Sequence, residues 1–301
     1  MSRNEIHIFL RGGLGNQLFQ YALGLHVSVT QDKDLVIRED LLPESEDHIA
    51  GVSRWPNQIS HFEHSGQNWC RSHQPPFDTN IFGKYMQAQR ILGDASPSLL
   101  RGFGIYGAEA SGLMGDEFSP YSLRVINGYA STKRFAQAQK ESISVQVHAL
   151  KNPSRAFETL DSEIKATSPI VVHLRLGDYL SLSDIYGNIS IEYLRKGLSV
   201  LLGSQRPVWV FTQHSEEVGA DLLEAIAPER IVDSQALSSP LENMLLMSHG
   251  GGLICSNSSL SWWAAFLSNS QQNVVVPRYP GRTNAFGPTM TLDGWKVLDV
   301  D

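Results

Sequence analysis

The sequence predicts an α/β protein built on parallel sheets, and three observations carry that prediction. Short apolar, β-branched runs alternate with helical stretches through the C-terminal half, the pattern of a doubly wound sheet. The chain opens with strand, glycine turn and helix in direct succession, as α/β domains commonly begin. Polar and ionisable residues gather where the predicted strands end, which is where open α/β sheets bind ligands.

The elements follow in order. "EIHIFL" (5–10) is an apolar strand, "RGGLGNQ" (11–17) a turn, and "LFQYALGLHVSVT" (18–30) a helix with apolar spacing at Leu18, Tyr21, Ala22 and Leu25. "DLVIRE" (34–39) is the next strand. Residues 40–100 are rich in His, Trp, Pro and Asn without clear periodicity, and read as loop and short helix. "SLRVINGYAS" (122–131) is a strand entering a turn, 132–151 one helix, and 152–169 a helix followed by a break. Then the alternation sharpens. Strands are expected in "IVVHLRLGDY" (170–179), "PVWVFTQ" (207–213), "RIVDS" (230–234), "GGLICSNSS" (251–259) and "NVVVPRYP" (273–280). Helices are expected over 190–203, 215–228, 239–250 and 260–269. The break near 152–168 divides the chain into an N-terminal α/β domain, 1–155, and a C-terminal Rossmann-like domain, 156–301.

Composition excludes several classes. A net charge of −7 argues against a sequence-independent nucleic-acid binder, which normally carries a basic face. No segment approaches the ~18 consecutive apolar residues that span a bilayer, and the N-terminus has too short an apolar core for a secretory signal. Cys70 and Cys255 lie far apart, with Cys255 in the apolar run "GLICS", which suits a buried thiol in a reducing cytosol. The expectation is a cytoplasmic protein without a stable membrane span.

Three strand-end stretches carry the candidate chemistry. In "GGLGNQ", Gly12, Gly13 and Gly15 let the backbone turn tightly and approach a ligand, while Asn16 and Gln17 offer amides suited to hydroxyls or phosphate. The G-x-G-x-x-G dinucleotide spacing is absent. The competing reading is a turn that merely needs glycine. In "HLRLGDY", Arg175 is the residue type suited to bidentate phosphate recognition, and His173 shares its strand face. An Arg175–Asp178 ion pair or a hydrogen-bonded core histidine would be the structural alternatives. In "SNSSLSWWAAF", Ser256, Asn257, Ser258, Ser259 and Ser261 precede or open an apolar helix. One serine suffices for a cap, and a helix start dressed with hydroxyls suits phosphate.

Taken together, "GGLGNQLFQYA" at 12–22, "HLRLGDY" at 173–179 and "LMSHGGGLICSNSSLSWWAA" at 246–265 resemble the bacterial α-1,2-fucosyltransferases of glycosyltransferase family 11. The resemblance implies a GT-B-like α/β fold, two Rossmann-like domains facing across a cleft. It also implies inverting transfer of L-fucose from GDP-β-L-fucose to O2 of a galactose-terminated acceptor. By that resemblance Arg175 matches the donor-phosphate arginine and His173 the histidine against the nucleotide sugar. Ser258 and Ser259 match the hydroxyl pair at the phosphate end, and Asn16 the glycine-loop asparagine near donor and acceptor. Gly13, Gly15, Gln17, Ser256 and Asn257 complete the expected donor surface, and Asp178 holds the acidic position that would serve as base, the alternative being a bond that breaks early enough to need none. Leu176 stands where the family often has a second arginine. Glu242 and Asn243 occupy the region that reads guanine in related fucosyltransferases, with the carboxylate of Glu242 the better acceptor for two N–H groups.

No cofactor or divalent metal is expected. The D-x-D triplet at the end of the sequence, "DVD" at 299–301, reads as a solvated tail. Two other classes compete: a Rossmann oxidoreductase, disfavoured by the missing dinucleotide spacing, and a non-catalytic galactoside-binding module, which leaves Arg175 and the serines without a task. Within the fucosyltransferase reading, an α-1,6 linkage is the alternative. Trp55, Trp69, His61 and His64 are available for an acceptor sugar, with loop packing equally open to them.

Overall fold

A computed structural model of the chain describes residues 5–39, 42–45, 47–49, 52–61, 105–108, 125–129, 131–176, 189–201, 206–278 and 290–300. The chain divides into two compact units, Met1–Asp47 with Arg54–Gln146, and His48–Ser53 with Val147–Asp301. Each holds its own parallel sheet.

The first unit is a four-stranded sheet. β1 (Glu5–Phe9) is followed by α1 (Leu14–Gln31) and β2 (Asp34–Arg38). Two short strands, β3 (Asp47–Ile49) and β4 (Val52–Arg54), lie where the chain passes through residues assigned to the second unit and form a separate two-stranded sheet among the described residues. β5 (Ile105–Ala108) and β6 (Val125–Gly128) complete the sheet in the order β2-β1-β6-β5, all parallel. Four of β1's five residues are buried, and Leu18, Tyr21, Ala22 and Leu25 of α1 are buried as their spacing predicts. Tyr21 keeps its hydroxyl satisfied in the core by donating to Gln146 Oε1 at 2.6 Å.

The predicted single helix over 132–151 is two, α2 (Lys133–Ala138) and α3 (Lys140–His148). Thr132 caps the first through its side chain, and the chain departs from helical geometry at Gln139.

The second unit is a six-stranded sheet. α4 (Arg155–Thr167) leads into β7 (Ile170–Leu174), α5 (Ile191–Leu201) and β8 (Val208–Thr212). α6 (Ala220–Ile226), β9 (Arg230–Asp233), α7 (Pro240–Ser248) and β10 (Gly252–Ile254) follow. α8 (Ser259–Leu267), β11 (Val274–Arg278) and β12 (Lys296–Asp299) close the unit. The order is β12-β11-β10-β7-β8-β9, again all parallel. All residues of β7 and β8 are buried, which is why both read as continuous apolar runs. The predicted helix over 215–228 is shortened to α6, preceded by a 3-10 turn at Ser215–Glu217 with Gly219 as N-cap.

β12 corrects the reading of a tail at Asp299. Asp299 is an edge-strand residue in register with Arg278, whose Nε and Nη2 donate to its two carboxylate oxygens at 2.6 and 2.9 Å. Cys255 is a free, buried thiol as expected, and Cys70 lies outside the described residues. Among the described residues no helix is long and apolar enough to cross a membrane.

Candidate active site

The strand order of the second unit creates one special place. From β7 the chain leaves through α5 towards β8, and from β10 it leaves through α8 towards β11, on the opposite side. β7 and β10 are neighbours, with Val172 opposite Ile254, so their C-terminal ends flank the point at which the connections diverge. Ligands of open α/β sheets bind in that crevice.

The residues predicted at both strand ends meet there. His173, 4% exposed, shares a 2.7 Å hydrogen bond between Nδ1 and Ser256 Oγ. Burial, and then the positive charge of Arg175, lower the His173 pKa to about 3. The imidazole is therefore neutral at physiological pH and cannot serve as a second cation for a phosphate. Arg175, one residue beyond β7, donates from Nη1 to Gln213 Oε1 at 3.2 Å. Gln213 follows β8, so Arg175 is braced from one neighbouring strand while His173 is tied to the other. Gln213 carries no motif of its own, and only the strand pairing marks it.

The serine turn is less open than its composition suggests. Ser256 is engaged by His173. Ser258 is the N-cap of α8, its hydroxyl accepting from Leu260 N at 3.3 Å. Ser261 donates to the carbonyls of Ser256 and Ser258, at 3.3 and 3.0 Å. Asn257 is buried beside them. Ser259 is the partly exposed hydroxyl of the turn, standing in the first turn of α8 where free backbone N–H groups favour an anion.

Glu242 is hydrogen-bonded within the second unit. It is 1% exposed in the first turn of α7, and both carboxylate oxygens are engaged. Oε1 accepts from Ser154 N at 2.7 Å, and Oε2 from Ser154 Oγ at 2.8 Å and Ser238 N at 2.9 Å. Burial alone would raise its pKa, but these bonds outweigh it and hold the carboxyl below its ordinary range. These bonds fasten the start of α4 to the start of α7. The signal was present in "SPLE" (239–242), the spacing of a capping box. The neighbouring Asn243, also buried, has an Oδ1 without a hydrogen-bond partner among the described residues.

In the first unit the glycine turn follows β1. Gly12 adopts φ +68°, and a Cβ there would stand 2.6 Å from Asn16 Nδ2 and 3.2 Å from Tyr129 Cε1. Gly13 is the N-cap of α1, Gly15 is buried in its first turn, and Asn16 is partly exposed. Gln17 is hydrogen-bonded within the first unit. Fully buried, it donates from Nε2 to Gly12 O and Pro56 O, at 2.8 and 2.9 Å, and accepts at Oε1 from Gln58 N at 2.8 Å. It clips the turn to residues 56–58. Asp178 lies outside the described residues, as do Trp69 and His64.

Donor atoms of His214, Glu216 and Glu217, after β8, lie within 4.8 Å of one another, the one such group that could hold a cation among the described residues. Its carboxylates are solvent-exposed, and such surface groups commonly occur without an ion.

The family model for glycosyl transferase family 11 matches residues 132–285, more than half of the chain. An α-1,2-colitosyltransferase of Escherichia coli is 25% identical over 299 residues, covering 93% of this chain and 94% of its own length. The Escherichia coli O-antigen biosynthesis glycosyltransferase WbnK is 26% identical over 131 residues, covering 41% of this chain and 42% of its own. The crystal structure of fucosyltransferase NodZ from Bradyrhizobium shares the fold with a TM-score of 0.53 at 16% identity, over 89% of this chain and 94% of that one. The NodZ α-1,6-fucosyltransferase co-crystallized with GDP gives a TM-score of 0.51 at 17% identity, over 89% and 93%. The fold class is thus α/β and GT-B-like. The chain belongs to glycosyl transferase family 11 and is a glycosyltransferase.

Proposed function

We propose that this family 11 glycosyltransferase moves L-fucose from GDP-β-L-fucose to O2 of a terminal galactose in a β-galactoside such as lactose. The anomeric centre inverts to give an α-1,2 linkage, and no divalent metal takes part. The observation that carries the reading is Arg175, a guanidinium braced at the point where the connections of the six-stranded sheet diverge.

The chemistry follows from that position. Cleavage of the bond from fucose C1 to the phosphate oxygen builds positive charge on the sugar and leaves negative charge on GDP. Arg175 absorbs the latter together with the first-turn amides and Ser259 hydroxyl of α8. Neutral His173, tied to Ser256, supplies shape and a hydrogen bond without charge. The acceptor O2 attacks C1 from the opposite face and gives up its proton to Asp178, directly or through a water, while the Asn16 carboxamide orients the reacting hydroxyl. Asn243, with its unclaimed buried Oδ1, is the candidate to accept from guanine N–H groups.

The linkage is supported by the name of the nearly full-length α-1,2-colitosyltransferase relative. That relative also favours a second reading, in which the donor sugar is colitose, the 3-deoxy form of fucose. Incubation with lactose and either GDP-fucose or GDP-colitose in excess EDTA, followed by mass and linkage analysis, tests donor, regiochemistry and metal together. A fucosylated product with an α-1,2 linkage and an unchanged rate in EDTA is expected. An α-1,6 linkage, transfer of colitose alone, or a rate abolished by EDTA would each overturn the corresponding part.

A further inference from the structure

We propose that Trp55 and Tyr129 form the platform that receives the acceptor galactoside, on either side of the glycine turn. The inference rests on the fucosyl-transfer reading only for the identity of the sugar. Strands β1 and β6 lie side by side with Phe9 opposite Asn127, so the residues just beyond them, Arg11–Gly13 and Tyr129, emerge together at the C-terminal edge of the first unit's sheet.

Two bare glycines make this surface possible. The pyrrole edge of Trp55 lies against Gly13, with Cδ1 3.4 Å and Nε1 3.5 Å from where a Cβ would stand. Tyr129 approaches Gly12 in the same way, its Cε1 3.2 Å from the corresponding point, and Asn16 Nδ2 reaches back over the same glycine. Any side chain at position 12 would push out both the phenol ring and the amide.

The platform is held from beneath. Gln17, through Pro56 O and Gln58 N, fixes the segment that carries Trp55 against the turn, and Gln20 Oε1 accepts from Arg11 N at 2.9 Å on the other side. Gln17 and Gln20 are buried, whereas Trp55, Tyr129, Asn16 and both glycines are partly exposed. Core aromatics of this protein, such as Trp262 and Trp263, are fully buried and meet other rings edge-on. Trp55 and Tyr129 make no such ring contact among the described residues.

Two partly exposed rings flanking a free carboxamide suit one class of ligand: a hexopyranoside with one face of C–H groups and hydroxyls at its rim. Galactose has that shape, because its axial O4 leaves the C3, C4 and C5 hydrogens together on one face. The rings would pack on that face and Asn16 would hydrogen-bond a rim hydroxyl.

The test compares wild type with Trp55→Ala, Trp55→Phe and Tyr129→Ala in the full chain. With lactose and GDP-fucose, Trp55→Ala is expected to raise KM for lactose on the order of tenfold and leave KM for GDP-fucose unchanged, with Trp55→Phe recovering most of the loss. An unchanged lactose KM in both alanine variants, or a parallel rise in the GDP-fucose KM, would overturn the inference. Saturation-transfer NMR with methyl β-D-galactoside, without donor, separates it from the transfer reading. A signal in wild type that Trp55→Ala and Tyr129→Ala lose supports the platform even if fucose is never transferred, and no signal in wild type sinks it. Far-UV circular dichroism identifies a variant that has not folded, and the other variants then decide.

Discussion

The turn after β1 and the turn after β10 share one plan, a parallel strand running through a short loop into a helix, and carry it out with opposite chemistry. After β1 the helix N-cap is Gly13, which offers no side chain, and the turn is fastened from inside the helix by the carboxamide of Gln17. After β10 the N-cap is Ser258, which caps α8 itself, while Ser256 and Ser261 tie the turn to β7 and to its own carbonyls. Removing side chains lets two aromatic rings and an amide close on the backbone. Adding hydroxyls wires the loop to itself, beside the guanidinium that stands just after β7, Arg175. A polar-rich turn is therefore not a measure of ligand contacts, and a bare one is not empty of function.

The comparison breaks first at Arg175. If that guanidinium carries the leaving-group charge, Arg175→Ala should lower kcat at least about a hundredfold, measured as GDP release with lactose present. A rate near wild type would move the charged step away from the β7 end. Gln17 is the next test, because a clamp and a ligand contact fail differently. Gln17→Ala leaves Gly12 O, Pro56 O and Gln58 N without their partner and should cost about 2–3 kcal/mol in urea unfolding. Preserved stability with weakened GDP binding would return Gln17 to the donor surface.

The pH dependence sharpens the contrast further. His173 titrates at about 3 when folded, below its ordinary 6.5, so in that window the unfolded chain binds a proton that the folded one refuses. Stability is fully present above about pH 6.5 and falls by roughly 1.4 kcal/mol per pH unit below it. His173→Gln should therefore narrow its stability gap to wild type by about 2 kcal/mol between pH 6.5 and 5, read from urea unfolding at both pH values. The smallest effects divide the serines. Ser258→Ala should cost about 1 kcal/mol as a lost cap. Ser259→Ala should leave the melting temperature in place while lowering kcat about fivefold, the worth of one hydrogen bond to the departing phosphate.

Much of this was legible in the sequence where burial is two-sided. β7 and β8 are covered on both faces and read as unbroken apolar runs. Ser258 before "LSWWAAF" has the cap chemistry that starts α8. The strands that escaped notice are short: β3 and β4, three residues each, pair as a ribbon, and β5 and β12, four residues each, lie at sheet edges, where pairing on one side needs no strong apolar pattern. The role of Glu242 was half-visible in "SPLE", but its second partner, Ser154, lies 88 residues away.

By itself the sequence determined the alternation of strands and helices, the two strand-end motifs of the second unit and the need for glycine after β1. Each follows from local rules of burial, capping and backbone freedom. Only the tertiary structure decided which polar groups are already occupied and which rings meet the glycine turn: that Gln17 holds Pro56 and Gln58, that Glu242 holds Ser154, and that Tyr129 lies against Gly12 and Trp55 against Gly13. Those contacts join residues up to 117 positions apart (12 to 129), and hydrogen-bond satisfaction is set by distance in space, which spacing along the chain does not encode.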